Sequence, residues 1–233
     1  MYKNIIAIGD SFLEGAELPD PRRQCVPHLL ANFYNVDCYN LAKAGVGILA
    51  VVQQLLDAEL SGLLTKDSLV VYCIPPAGRI DFPYTSTSTP TPTLTFDYYY
   101  HAKIIDGTFD LPVPSDFKDT NSYNRIKKLY MSTPGTDWVK FGEQIQFAGL
   151  CTLIQLLSKY SHVGICGHPQ YYIDVTVRKS AMAALTTLAP LFIDEGFTGW
   201  AKNNQYSILP YGHPGSDAHA KLLELLIRIN TIK

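Results

Sequence analysis

The sequence predicts one doubly wound α/β domain on a central parallel sheet of about five strands. Two observations carry this. Short, wholly apolar runs alternate with amphipathic helical stretches. The unusual residues fall just after the apolar runs, where open parallel sheets place their binding sites. A chain of 233 residues suits one core of this kind better than two.

Asn4-Ile5-Ile6-Ala7-Ile8 ends at Gly9 and reads as a strand buried on both faces. Pro19 and Pro21 mark a break. A helix is expected over 22–34, with Val26, Leu29, Leu30 and Phe33 on one face. Val36–Leu41 is the second strand, Ala44-Gly45-Val46-Gly47 a tight turn, and Ile48–Leu64 the next helix. Ser68–Ile74 is the third strand. From Pro83 to Thr136 the periodicity fails in a stretch rich in Thr, Pro, Ser and Tyr, including Tyr98, Tyr99 and Tyr100. We read 83–136 as an insertion within a single 1–233 domain, with little regular structure or one short hairpin. Connections of that length are usually functional or mobile. The tyrosines suit either sugar stacking or plain packing. Helical periodicity returns over Trp138–Tyr160, followed by a fourth strand at His162–Cys166, a helix over Val175–Leu188, a short fifth strand around Leu191–Ile193, and a terminal helix over Ser216–Ile229.

Composition excludes several functions. Nineteen basic against 21 acidic residues leave a formal charge of −2, and no basic run offers a nucleic acid a landing site. No apolar run approaches the ~18 residues of a membrane span. Met1-Tyr2-Lys3-Asn4 leads straight into a strand with no secretory signal pattern, so a cytoplasmic location is expected. Five scattered cysteines fit reduced, buried thiols, and their spacing forms no zinc site. Gly45-Val46-Gly47 precedes a helix, but it lacks the third glycine of a dinucleotide fingerprint and the Walker lysine.

A serine between a strand and a helix can expose its hydroxyl and use free backbone N–H groups for an oxyanion. Ser11 stands there after strand one. His168 ends strand four, and His213-Pro214 precedes the last helix, so both histidines are candidate bases. Asp10 and Arg79 join His168 as candidates to line the site. Asp10 suits a carboxylate that accepts backbone N–H bonds in the turn.

Three blocks then resemble the SGNH (GDSL-type) hydrolase family: Gly9-Asp10-Ser11-Phe12-Leu13, Asn40-Leu41-Ala42-Lys43-Ala44-Gly45-Val46-Gly47, and His213-Pro214-Gly215-Ser216-Asp217-Ala218-His219. The resemblance covers the sheet and most helices but not 83–136. It implies a three-layer, flavodoxin-like α/β/α fold, Ser11 as nucleophile, His213 as base, the N–H groups of Ser11 and Gly45 as oxyanion donors, and neither metal nor cofactor. Two positions depart from the pattern. The family's Gly-x-Asn after strand three is replaced by Pro75-Pro76-Ala77-Gly78-Arg79, and the aspartate three residues before the histidine is Pro210, followed by Tyr211. Asp217 suits the helix start better than the imidazole.

The expected function is hydrolysis of an acyl or acetyl ester, including esters on carbohydrates, by a Ser–His dyad or incomplete triad. The alternative is a binding or structural protein that kept the fold and lost the chemistry. Variants of this look resemble those of tailed bacteriophages, which would place the protein in a virion. Expected partners are a small-molecule or glycan ester, and copies of itself or of a virion assembly, with neither nucleic acid nor membrane.

Overall fold

The structure is a computed structural model that describes residues 2–76, 79–84, 98–105, 108–110, 138–167, 179–180, 183–184, 186–187, 191–192 and 195–231. Four strands form a parallel sheet: β1 (Asn4–Ile8), β2 (Asp37–Asn40), β3 (Ser68–Ile74) and, after the second sheet below, β7 (Ser161–Cys166). Their order across the sheet is β2-β1-β3-β7. Every residue of β1 and β3 is buried, as their unbroken apolar sequences require of central parallel strands. The edge strand β2 alternates exposed and half-buried positions.

Side chains alternate across the strands and so feed two cores. On one face Ile6, Ile8, Val70, Tyr72 and Ile74 pack with Ile48, Val51 and Leu55 of helix α4 (Ile48–Leu60) and Leu150, Leu153 and Leu157 of α5 (Trp138–Leu157). On the other, Ile5, Leu69, Val71 and Cys73 pack with Leu30 of α3 (Val26–Tyr34), Phe197 of α6 (Gly196–Asn203) and Leu222 and Leu226 of α7 (Ser216–Thr231). The result is the three-layer α/β/α arrangement that the sequence predicts.

The helix expected over 22–34 is two helices, α2 (Pro21–Gln24) and α3, with Cys25 extended between them. The break lets Pro27 sit in the first turn of α3, where its missing N–H has no bond to forfeit. Of the fifth strand expected around 191–193, the described residues show a parallel bridge between Leu191 and Ile165, and Ile193 lies outside the described residues. Helix α6 was not expected, because Gly196, Thr198 and Gly199 are weak helix formers. Tertiary packing overrides them: Phe197 and Ala201 are fully buried, and Phe197 lies against Phe192 and Trp200. Of the helix expected over 175–188, residues 179–180, 183–184 and 186–187 are helical and the rest lie outside the described residues.

Of the stretch 83–136, only 83–84, 98–105 and 108–110 are described, and these are more regular than expected. β4 (Arg79–Tyr84), β5 (Tyr98–Ile105) and β6 (Thr108–Asp110) form an antiparallel sheet in that order. Its aromatic and β-branched content explains the strands. Asp81 fixes this sheet to the main body. Its carboxylate accepts the N–H groups of Gly47 at 2.7 Å and Ala50 at 2.9 Å, capping α4 from a distant strand.

Strand β1 lies between β2 and β3, so the chain reverses its winding at β1. The crevice of such a sheet opens at that switch point, beyond the carboxyl end of the strand. Gly9-Asp10-Ser11 occupies it.

Candidate active site

The turn after β1 is built tightly. Gly9 has φ 142°, and a Cβ there would lie 2.9 Å from the backbone N and O of Cys73. Its N–H donates to Gln54 Oε1 at 2.7 Å, and Gln54 Nε2 donates back to its carbonyl at 3.2 Å. Ser11 then opens a single helical turn, α1 (Ser11–Glu14), capped by Asp10 through the N–H of Phe12 at 3.3 Å.

Asp10 is fully buried and pairs with Arg79 Nη1 at 3.3 Å. Arg79 also donates to the carbonyl of Val46 at 3.1 Å. These two predicted site-lining residues thus form a buried brace beneath the turn that carries Ser11. The other, His168, lies outside the described residues.

The glycine turn is tied to the same short helix. Glu14 Oε2 accepts the N–H of Ala44 at 2.7 Å, and Asn40 Nδ2 donates to the carbonyl of Leu13 at 2.7 Å. Gly45 sits in the left-handed region at φ 80°. Among the described residues, the N–H groups of Ser11 and Gly45 have no acceptor.

His213 arrives from the far end of the chain on a tight loop. Leu209 N–H donates to the His213 carbonyl at 2.8 Å, Gly212 N–H donates to the Leu209 carbonyl at 2.9 Å, and Thr198 of α6 donates to the Gly212 carbonyl at 3.0 Å. The loop carries the imidazole to Ser11: Nε2 is 2.8 Å from Oγ, with the ring 5.3 Å from that of Phe12. That spacing suits a hydroxyl donating to a neutral imidazole.

The other ring nitrogen meets a residue that the sequence reading did not name. Glu17 Oε2 is 2.6 Å from His213 Nδ1. The same carboxylate accepts the N–H of Tyr211 at 2.9 Å and that of His213 at 3.4 Å. Desolvation raises the Glu17 pKa, but the hydrogen bonds from Tyr211 and His213 outweigh it and hold the carboxyl below its ordinary value. The sequence carried little sign of this. Glu17 reaches the loop through a left-handed backbone, φ 67°, which glutamate seldom adopts and no pattern announces. Asp217 faces elsewhere, accepting from the N–H of Ser207 at 2.9 Å and from the Ser207 hydroxyl.

His219, in α7, is buried with its ring edge-on to Phe197. Burial, followed by the nearby His213, lowers its pKa to about 4.

No protein-family model and no curated protein matches the sequence. Solved structures do. A lipolytic protein of the G-D-S-L family from Veillonella parvula aligns over 98% of both chains at 14% identity and a TM-score of 0.50. The psychrotrophic esterase EstA from Pseudoalteromonas aligns over 97% of this chain and 95% of its own, at 12% identity and 0.47. The alignment with the Veillonella protein identifies the fold as that of the SGNH, or GDSL-type, hydrolases.

Proposed function

We propose that the protein is a serine hydrolase acting on an acyl or acetyl ester, with esters on carbohydrates among its candidate substrates. The 2.8 Å approach of Ser11 Oγ to His213 Nε2, at the switch point of the sheet, is the observation that carries this reading. His213 takes the hydroxyl proton as Ser11 Oγ attacks the ester carbonyl. The N–H groups of Ser11 and Gly45 donate to the oxyanion. The imidazolium then protonates the departing alcohol, leaving an acyl-serine, and a water activated by the same imidazole releases the acid.

Wild type should hydrolyse p-nitrophenyl acetate, and Ser11→Ala should reduce the rate at least 10³-fold, on the order of the loss of a triad member. Equal rates in the two proteins would remove Ser11 from the reaction. A fluorophosphonate probe gives a second reading. Labelling at Ser11 supports the enzyme. Silence, together with co-purification in a larger particle, supports the scaffold alternative, for which the replaced asparagine donor is the motivation.

A further inference from the structure

Resting on the hydrolase reading, we propose that Glu17 is the positioning acid of this site, replacing from the nucleophile's own segment the carboxylate that the family pattern places three residues before the histidine. The position three before His213 is Pro210, which has no carboxylate. Asp217 is engaged with Ser207 and with the N–H of Ala218 at the start of α7. Asp10 is held by Arg79 and Phe12. Among the described residues the carboxylate on the imidazole is that of Glu17, and it meets the nitrogen opposite Ser11.

Its attachment is directional. Oε1 takes the N–H of Tyr211, while Oε2 takes both the ring and the N–H of His213. One carboxylate therefore sets the position of the loop and the rotation of the ring on it. The bond to Nδ1 requires the proton there, which leaves Nε2 as acceptor for the Ser11 hydroxyl. When Nε2 gains the proton, the adjacent negative charge stabilises the imidazolium. The left-handed backbone at Glu17 fits this role. It is unfavourable for a residue with a Cβ, and such conformations collect at functional sites.

The test combines Glu17→Gln with nitrogen-15 NMR of the His213 ring. Glutamine can still accept through its Oε1 but carries no charge. Hydrolysis of p-nitrophenyl acetate by Glu17→Gln should show kcat lower by about 10²–10⁴-fold, with KM changed by less than a few fold. The acidic limb of the kcat/KM profile should move to lower pH. Unchanged kcat and an unchanged profile would reduce Glu17 to a clamp on the loop and overturn the proposal. The tautomer needs no variant that folds: in wild type at pH 8 the neutral His213 should carry its proton on Nδ1, and a proton on Nε2 overturns the proposal. The NMR measurement on Ser11→Ala separates the two readings. If wild type shows no Ser11-dependent hydrolysis, the enzyme reading falls, while the tautomer, and a His213 titration in Ser11→Ala/Glu17→Gln shifted to lower pH than in Ser11→Ala, still decide whether Glu17 positions the ring.

Discussion

Ser11, Glu14 and Glu17 lie three residues apart, and each addresses a different part of the site. Ser11 faces the imidazole, Glu14 holds the turn that carries Gly45, and Glu17 holds the histidine loop. Beneath them the Asp10–Arg79 pair is a structural charge. Replacing one partner of a buried ion pair strands the other. Arg79→Met should therefore destabilise the protein by about 3–5 kcal/mol, measured by urea unfolding, and the double variant Asp10→Asn/Arg79→Met should recover part of the loss. An Arg79→Met protein as stable as wild type would mean that the pair does not matter to folding. Burial raises the Cys25 thiol to about 11 and the Cys166 thiol to about 12, which makes these two poor nucleophiles.

At the scale of elements, α4 links the turn that carries Ser11 to the second sheet. Gln54 clasps Gly9 from the middle of the helix, and Asp81 caps its first turn from β4. Burial, partly offset by the N–H bonds of Ala50, Gly47 and Leu49, raises the Asp81 pKa. Gln54→Ala should leave the buried N–H of Gly9 with no acceptor, at a cost of about 1–3 kcal/mol, and should also loosen Ser11. An unfolding midpoint unchanged within error would show that the clasp is dispensable. Most elements were legible because a parallel strand buried on both faces is apolar throughout and an amphipathic helix repeats every 3.6 residues. Helix α6 was not, because packing of Phe197 rather than propensity stabilises it. Glu17 escaped for a related reason. A search for the acid at a fixed distance before His213 looks along the chain, whereas the carboxylate crosses space from the other end of it. Ser11, His213 and Gly45 were visible because their blocks preserve local order.

Across the whole molecule, acid stability should carry the mark of His219. Its native pKa of about 4 lies below the ordinary 6.5, so between those values the unfolded chain binds a proton that the native chain does not. Stability is then fully present above pH 6.5 and declines as the pH falls toward 4. The gap corresponds to about 3 kcal/mol when complete. His219→Phe should flatten this part of the stability–pH curve, as followed by chemical denaturation between pH 4 and 7. An identical slope in the variant would assign the acid sensitivity to other groups. Both cores meet at the sheet, and the turn that carries Ser11 sits on that sheet while the histidine loop rests on α6.

The loop 209–213 is spared from supplying the carboxylate that its histidine touches. Pro210 and Tyr211 contribute to that contact through backbone geometry alone, and the Tyr211 side chain is 88% exposed two residues from His213. Side chains on this rim are therefore open to variation. New shapes and polarities can be tried there, by selection or by an engineer, while the carboxylate that holds the ring stays anchored on a different stretch of the chain.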